Sequence, residues 1–237
     1  MQTIPLSNLA LAFIPVIIVI IVIWRWQLDY KHSIYAVGRM LIQLLLIGYV
    51  LTYIFQTNST YIVITVLSLM LGIASWIALR TISVPRKKLY LSSVSAIVLG
   101  GGSVLLLITQ WVLVLSPWYS ATMIIPLAGM IFANCMNSIS LAGERLEAEI
   151  NNGSSYDKAK IIALRAALIP IINSLLAVGL VSLPGMMTGQ ILSGVSPLIA
   201  VRYQVMVMCM IFGSAGMTSA IFLYLIKKHF IKEPKTT

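Results

Sequence analysis

Residues 61–79 read YIVITVLSLMLGIASWIAL, and residues 80–88 follow at once as RTISVPRKK. A bilayer-spanning helix needs about 20 mostly apolar residues, because hydrocarbon leaves every unpaired backbone N–H and C=O unsatisfied. The stretch 61–79 meets that length without a single charge. A basic cluster directly after such a run is the pattern of a chain turning at a cytoplasmic face.

Working outward, six further runs have the same character, and together they predict seven membrane-spanning helices at about 5–24, 37–55, 61–79, 91–115, 120–141, 168–192 and 201–226. The composition agrees. Of 237 residues, 59% are hydrophobic and 9% charged, with a mean hydropathy of +0.99. A soluble domain has roughly 45–50% apolar and about 25% charged residues, so a soluble protein, a disordered chain and a disulfide-stapled module are excluded. The expected fold is an all-α polytopic integral membrane protein in the cell membrane, a single transmembrane domain over 1–237.

The basic residues give the orientation. Arg25, Lys31 and Arg39 fall in or beside the first connection, and Arg80, Arg86, Lys87 and Lys88 fall in the third. Arg145, Lys158, Lys160 and Arg165 fall in the fifth, and Lys227, Lys228, Lys232 and Lys235 in the tail. Seven spans put all of the 16 basic residues except Arg202 on one side, which predicts an external N-terminus and a cytoplasmic C-terminus. The six acidic residues, Asp29, Glu144, Glu147, Glu149, Asp157 and Glu233, fall on the same side. Arg202 reads as an anchor that snorkels outward from a helix start. The net charge of +10 is therefore spent on an anionic leaflet and does not point to nucleic acid. The first run lacks a preceding basic residue and is followed by Arg25, the reverse of a signal peptide. Trp24, Trp26 and Trp76 mark the inner interface; Tyr53, Trp118 and Tyr119 mark the outer one. Cys135 and Cys209 both lie inside apolar runs and say little about redox compartment.

Several chemistries are missing. The chain has no GxxxxGK[ST] phosphate loop, no H-E-x-x-H and no Cys-x-x-Cys. His32 and His229 read as interface histidines. Gly213-Ser214-Ala215-Gly216 has no histidine base in any span and reads as a small-residue packing surface rather than a nucleophile site. No Asp, Glu or Lys falls at central depth, where ion-coupled carriers commonly keep one. An enzyme is not expected.

Three stretches carry information instead. The 142–167 connection contains Glu147-Ala148-Glu149-Ile150-Asn151-Asn152-Gly153. Leu146 and Ile150, four apart, give a short helix an apolar face, with Glu144, Glu147 and Glu149 turned elsewhere. Gly153 supplies a helix stop. Such a helix suits a partner's groove; a solvated loop is the plain alternative. The second stretch, Gly179 to Gln190, reads GLVSLPGMMTGQ. Pro184 removes a backbone donor and Gly185 loosens the chain, so a break near the middle of the sixth run is expected, either as a substrate path or as a structural kink. The third is a pair of stripes: Met123, Met130, Asn134, Asn137 and Ser138 in the fifth run, and Met206, Met210, Gly213 and Met217 in the seventh. Their thioethers read first as adaptable packing and second as soft metal ligands. Arg39 and Gln43, four apart, are spaced for a polar contact at the inner interface or serve as a helix-end anchor.

The Glu147–Gly153 spacing, with Pro170 following, resembles the EAA loop of ATP-binding-cassette permeases, although Glu149 stands where that motif has alanine. The resemblance implies that Glu144, Leu146, Glu147, Ile150 and Gly153 couple to a separate ATPase. More widely, Arg39–Gly48, Ile125–Leu146, Ala166–Gln190, Ser196–Leu198 and Arg202–Gln204 resemble the FetB/YbbM-like permease family, iron exporters of the ATP-binding-cassette class with plant relatives linked to aluminium sensitivity. That resemblance implies a membrane subunit that works as a homodimer with a cytosolic ATPase, which would carry ATP and Mg while this chain binds no cofactor. Asn134, Asn137, Pro184, Gly185, Met186, Met187 and Gln190 are the expected path residues. The expected function is export of iron or another metal complex; the alternative is an ATPase-independent channel or facilitator.

Overall fold

The computed structural model describes residues 5–56 and 59–230; Lys232, Glu233 and Lys235 of the basic tail lie outside them. Among the described residues the chain is helical, without a strand, and seven helices are long and apolar enough to cross a membrane. Two compact units divide it, residues 1–57 and 58–237.

In the first unit, α1 (Leu6–Leu11) and α2 (Ile14–Arg25) together make one membrane-capable stretch, Ser7–Arg25. Pro15, in the first turn of α2, has no N–H to continue the ladder, so the chain steps at residues 12–13. The next helix, α3 (Tyr30–Gln56), starts well before residue 37 because Asp29 caps it, its Oδ1 accepting from the His32 N–H at 3.1 Å. Lys31 and Arg39 consequently lie on the helix rather than in a connection. The Gln43 amide oxygen, oriented to satisfy the network, accepts from Arg39 Nε at 3.0 Å.

The second unit contains α4 (Thr60–Ala78), α5 (Arg86–Ala96), α6 (Ser103–Leu107), α7 (Ala121–Asn151), α8 (Tyr156–Ala177), α9 (Gly185–Leu192), α10 (Pro197–Leu225) and α11 (Lys227–Phe230). Two π-helical segments, Ile97–Gly102 and Ile108–Val112, flank α6, so that Arg86–Val112 forms one long rod.

Within the second unit, three differences from the sequence expectation stand out. The fourth span begins at Arg86 rather than 91. The 142–167 connection is almost entirely helix: α7 continues to Asn151 and α8 starts at Tyr156. Residues 142–151 are thus not a separate short helix but the end of a 31-residue one. Hydropathy marks only the part of a helix that suits hydrocarbon, whereas backbone hydrogen bonding carries the helix on through charged turns. The third difference is the sixth span, which ends at Ala177 rather than 192. A turn over 178–184 follows, with Gly179 at φ +82° and the Val181 N–H donating to the Ala177 carbonyl at 2.8 Å. Pro184 then caps α9. The break expected around Pro184 is therefore present, with the proline at its far edge.

α7 packs against α4, α8 and α10. Its buried residues Ile124, Ala128, Ile131, Cys135, Ile139, Ala142 and Leu146 recur every three or four positions, the period of one helix face. Small residues let the neighbouring helices approach closely, which is how helices associate where lipid is as apolar as the side chains. A Cβ on Gly100 would stand 2.6 Å from the Thr218 backbone nitrogen. Ser214 and Ala215, from the small-residue stretch, are fully buried in α10. Thr218 Oγ1 donates to Cys135 Sγ at 3.2 Å.

Two glycines separate backbone from side-chain obstruction. At Gly143 an added Cβ meets side chains alone, clashing with Ile82 and touching Phe222 at an ordinary 3.7 Å. Gly100→Ala is expected to lower the thermal unfolding midpoint in detergent, at a cost of about 1–3 kcal/mol, because overpacking against backbone cannot relax. Thr218→Ala should not rescue it, whereas Ile82→Ala should rescue Gly143→Ala.

Candidate functional site

Opposite its core contacts, α7 carries a second stripe: Met123, Pro126, Met130, Asn134, Asn137, Leu141 and Glu144. Every one of these residues lines a cavity. The first cavity, of about 470 Å³, lies between the end of α4 (Ile77), the connection after it (Arg80, Thr81), α7 (Asn134, Asn137, Ser140, Glu144) and α8 (Ala167, Pro170). The second, of about 340 Å³, is lined by Met130 and Asn134, by Ser174 of α8, by Ser182 and Pro184 of the turn, by Gly185 and Met186, and by Gln204 and Met208 of α10. A third, of about 300 Å³, lies around Met123, Met130, Met186, Tyr203 and Met206.

The three are contiguous in their walls. Asn134 and Ile171 belong to the first and second, Met130 and Met186 to the second and third. From Met123 to Glu144 at 1.5 Å per residue the stripe is about 30 Å long, the thickness of the hydrocarbon core, about 30 Å. Its character changes along the way, from thioethers through amides to the carboxylate of Glu144.

Asn134 sits at the junction. Its Nδ2 donates to the Met130 carbonyl at 2.8 Å, which holds the side chain along the helix and leaves the amide oxygen as the group with acceptor capacity to spare. The broken backbone at 178–184 adjoins the second cavity through Val178, Ser182 and Pro184, the kind of location where irregular backbone is tolerated in membrane proteins.

The expected path residues divide between these spaces. Asn137 lines the first cavity, Pro184, Gly185 and Met186 the second, and Met187 a separate space of about 330 Å³ with Gln204 and Cys209. Gln190 Oε1 is buried without a hydrogen-bond partner. The coupling residues are less uniform. Leu146 is fully buried and belongs to the core, so it offers no docking surface. Gly153, at φ +86°, ends α7 as a glycine stop should, its N–H donating to the Ile150 carbonyl. Glu144 faces the first cavity. Glu149 pairs with Arg145 at 2.5 Å and accepts from Ser154 Oγ at 3.2 Å. The methionine stripe of α10 has no common environment: Met210 is buried, Met206 lines a cavity and Met217 is exposed. Among the described residues no three His, Cys, Asp or Glu side chains cluster as metal ligands would.

The sequence reading missed Gln204 and Ser174. Gln204 is 5% exposed, lines two cavities, and its Oε1 has no hydrogen-bond partner. The available signal was an uncharged polar side chain inside an apolar run.

A family model described as "Uncharacterised protein family (UPF0014)" matches residues 6–231, nearly the whole chain. The chain belongs to the UPF0014 family. This UPF0014 protein is 35% identical over 242 residues to the "Probable iron export permease protein FetB" of Escherichia coli (strain K12), covering 94% of this chain and 91% of that one. It is 34% identical over 236 residues to "Protein ALUMINUM SENSITIVE 3" of Arabidopsis thaliana, covering 91% and 84%. It is also 39% identical over 200 residues to the "UPF0014 membrane protein slr1647" of Synechocystis, covering 75% and 74%. No solved structure matches significantly. With seven membrane-capable helices, this UPF0014 protein is a multi-pass membrane protein.

An orphaned buried acceptor costs about 1–3 kcal/mol, so Gln204→Leu is expected to keep or raise the thermal midpoint in detergent. A clear fall in the midpoint would show that the Gln204 amide is structurally paired.

Proposed function

We propose that this UPF0014 protein is the membrane-spanning permease subunit of an ATP-binding-cassette exporter in the cell membrane, moving iron or another metal complex with ATP hydrolysed by a separate cytosolic subunit. The observation that carries this reading is the run of adjoining cavities along α7, as long as the hydrocarbon is thick. The FetB relative, matched across most of both chains, supports the choice of cargo and of class.

On this reading the basic connections face the cytoplasm, two copies of the chain work together, and the end of α7 with the 152–155 turn meets the ATPase. Substrate enters beside Glu144, passes the amides of Asn137 and Asn134, and leaves along the methionine-lined third cavity. The turn at 178–184 and the short α9 are the mobile wall, because they are joined by a break rather than by continuous helix. Neutral amides and thioethers coordinate hard iron weakly, which suits a cargo that must be released again and that brings some of its own ligands.

The test is co-purification of the tagged protein with an ATPase, followed by transport in proteoliposomes. Iron efflux that requires both the ATPase and ATP is the expected result. Asn134→Leu should lower it about tenfold or more, equivalent to about 1.4 kcal/mol, without loss of the ATPase. Conduction by the purified protein alone would instead establish a channel.

A further inference from the structure

The connection leaving α4 is fastened to the end of α7 at successive points. Ser140 Oγ donates to the Ala78 carbonyl at 2.8 Å, and Thr81 Oγ1 donates to the Ser140 carbonyl at 3.1 Å. Ile82 is buried against Gly143, where even a Cβ would stand 2.2 Å from its Cδ1. One turn further on, the backbone N–H of Ser83 donates to Glu147 Oε2 at 2.9 Å.

These contacts bridge two walls of one space. Thr81 lines the first cavity from the α4 side, and Ser140 and Glu144 line it from α7. The Ser83–Glu147 bond is the next in this row along both segments. A carboxylate accepting from a backbone N–H makes a charge-assisted hydrogen bond of specific direction.

We infer that Glu147 is a positioning residue that ties the α4–α5 connection to the end of α7, so that ATP-driven displacement of α7 also moves the α4 wall of the first cavity. This rests on the proposed transport function and deepens it. It gives Glu147 an internal role in place of the docking charge that the EAA resemblance implies. The distinction is chemical: a docking charge needs the negative charge, whereas the tether needs only an acceptor oxygen.

Glu147→Gln keeps that oxygen and Glu147→Ala removes it; Ser83→Pro removes the donor instead. In the reconstituted complex with its ATPase, Glu147→Ala is expected to retain ATPase binding and hydrolysis but to lower substrate moved per ATP by about fivefold or more, the lower end of site-to-site coupling. Glu147→Gln should match the unsubstituted protein, and Ser83→Pro should match Glu147→Ala. If Ser83→Pro does not fold, the contrast between Gln and Ala decides. Hydrogen exchange of the purified protein gives a second readout: the 80–85 peptide should exchange faster in Glu147→Ala and not in Glu147→Gln. Loss of ATPase binding in both Glu147 variants would overturn the tether in favour of a docking charge. Unchanged exchange in Glu147→Ala would overturn it whatever the transport result. Faster exchange in a protein that recruits no ATPase would keep the bond but overturn both its coupling role and the proposed function.

Discussion

Hydrocarbon offers no hydrogen bonds, and that absence governs how this chain is built. Each crossing segment must satisfy its own backbone, so each is a helix, and helices in lipid gain little by hiding apolar side chains from an equally apolar solvent. What holds the second unit together is close approach. Gly100 meets the Thr218 backbone, Gly101 packs beside Ile131 and Cys135, and Gly143 accommodates Ile82. Within this packed seam the Thr218 hydroxyl donates to Cys135, whose thiol faces the Ser214 carbonyl at 3.6 Å.

Close packing on one face of α7 leaves the other face free to line space. The same helix supplies fully buried core residues, Ile131, Cys135 and Ile139, and the wall of the cavities, through Met130, Asn134 and Asn137. A rigid packed face fixes the register of the polar stripe, and a fixed register is what lets Asn134 serve two adjoining cavities. The opposing wall is built differently. There the helix ends at Ala177, the chain turns at Gly179, and α9 restarts at Pro184. The cavities thus have one continuous wall and one interrupted wall.

Much of this is legible in the sequence. Apolar runs bounded by Arg80 and Arg86–Lys88 locate spans because charge and hydrocarbon are incompatible. Pro184 and Gly179 announce an interruption because one lacks a donor and the other tolerates positive φ. The Met123, Met130, Asn134, Asn137 stripe follows from helical period alone, and all four residues line cavities. The boundaries expected at 141 and 168 are misplaced for one cause. Residues 142–151 and 156–167 are too polar for hydropathy to count them as span, yet nothing in them stops a helix before Asn152. Leu146 was read as a docking residue because its spacing with Ile150 makes an apolar face; periodicity identifies such a face without saying what covers it.

By itself, the sequence determined the class: helical, membrane-spanning, lacking a phosphate loop, and broken near Pro184. These follow from local chemistry and from the ban on unpaired backbone in lipid, which act residue by residue. Only the tertiary structure decided that Gln204 of α10 reaches the same cavity as Asn134 of α7, and that Glu147 accepts a hydrogen bond from Ser83, 64 positions away. Such juxtapositions depend on how closely particular glycines allow helices to approach and on the rotation of each helix about its axis. Neither quantity is written in any single run of residues.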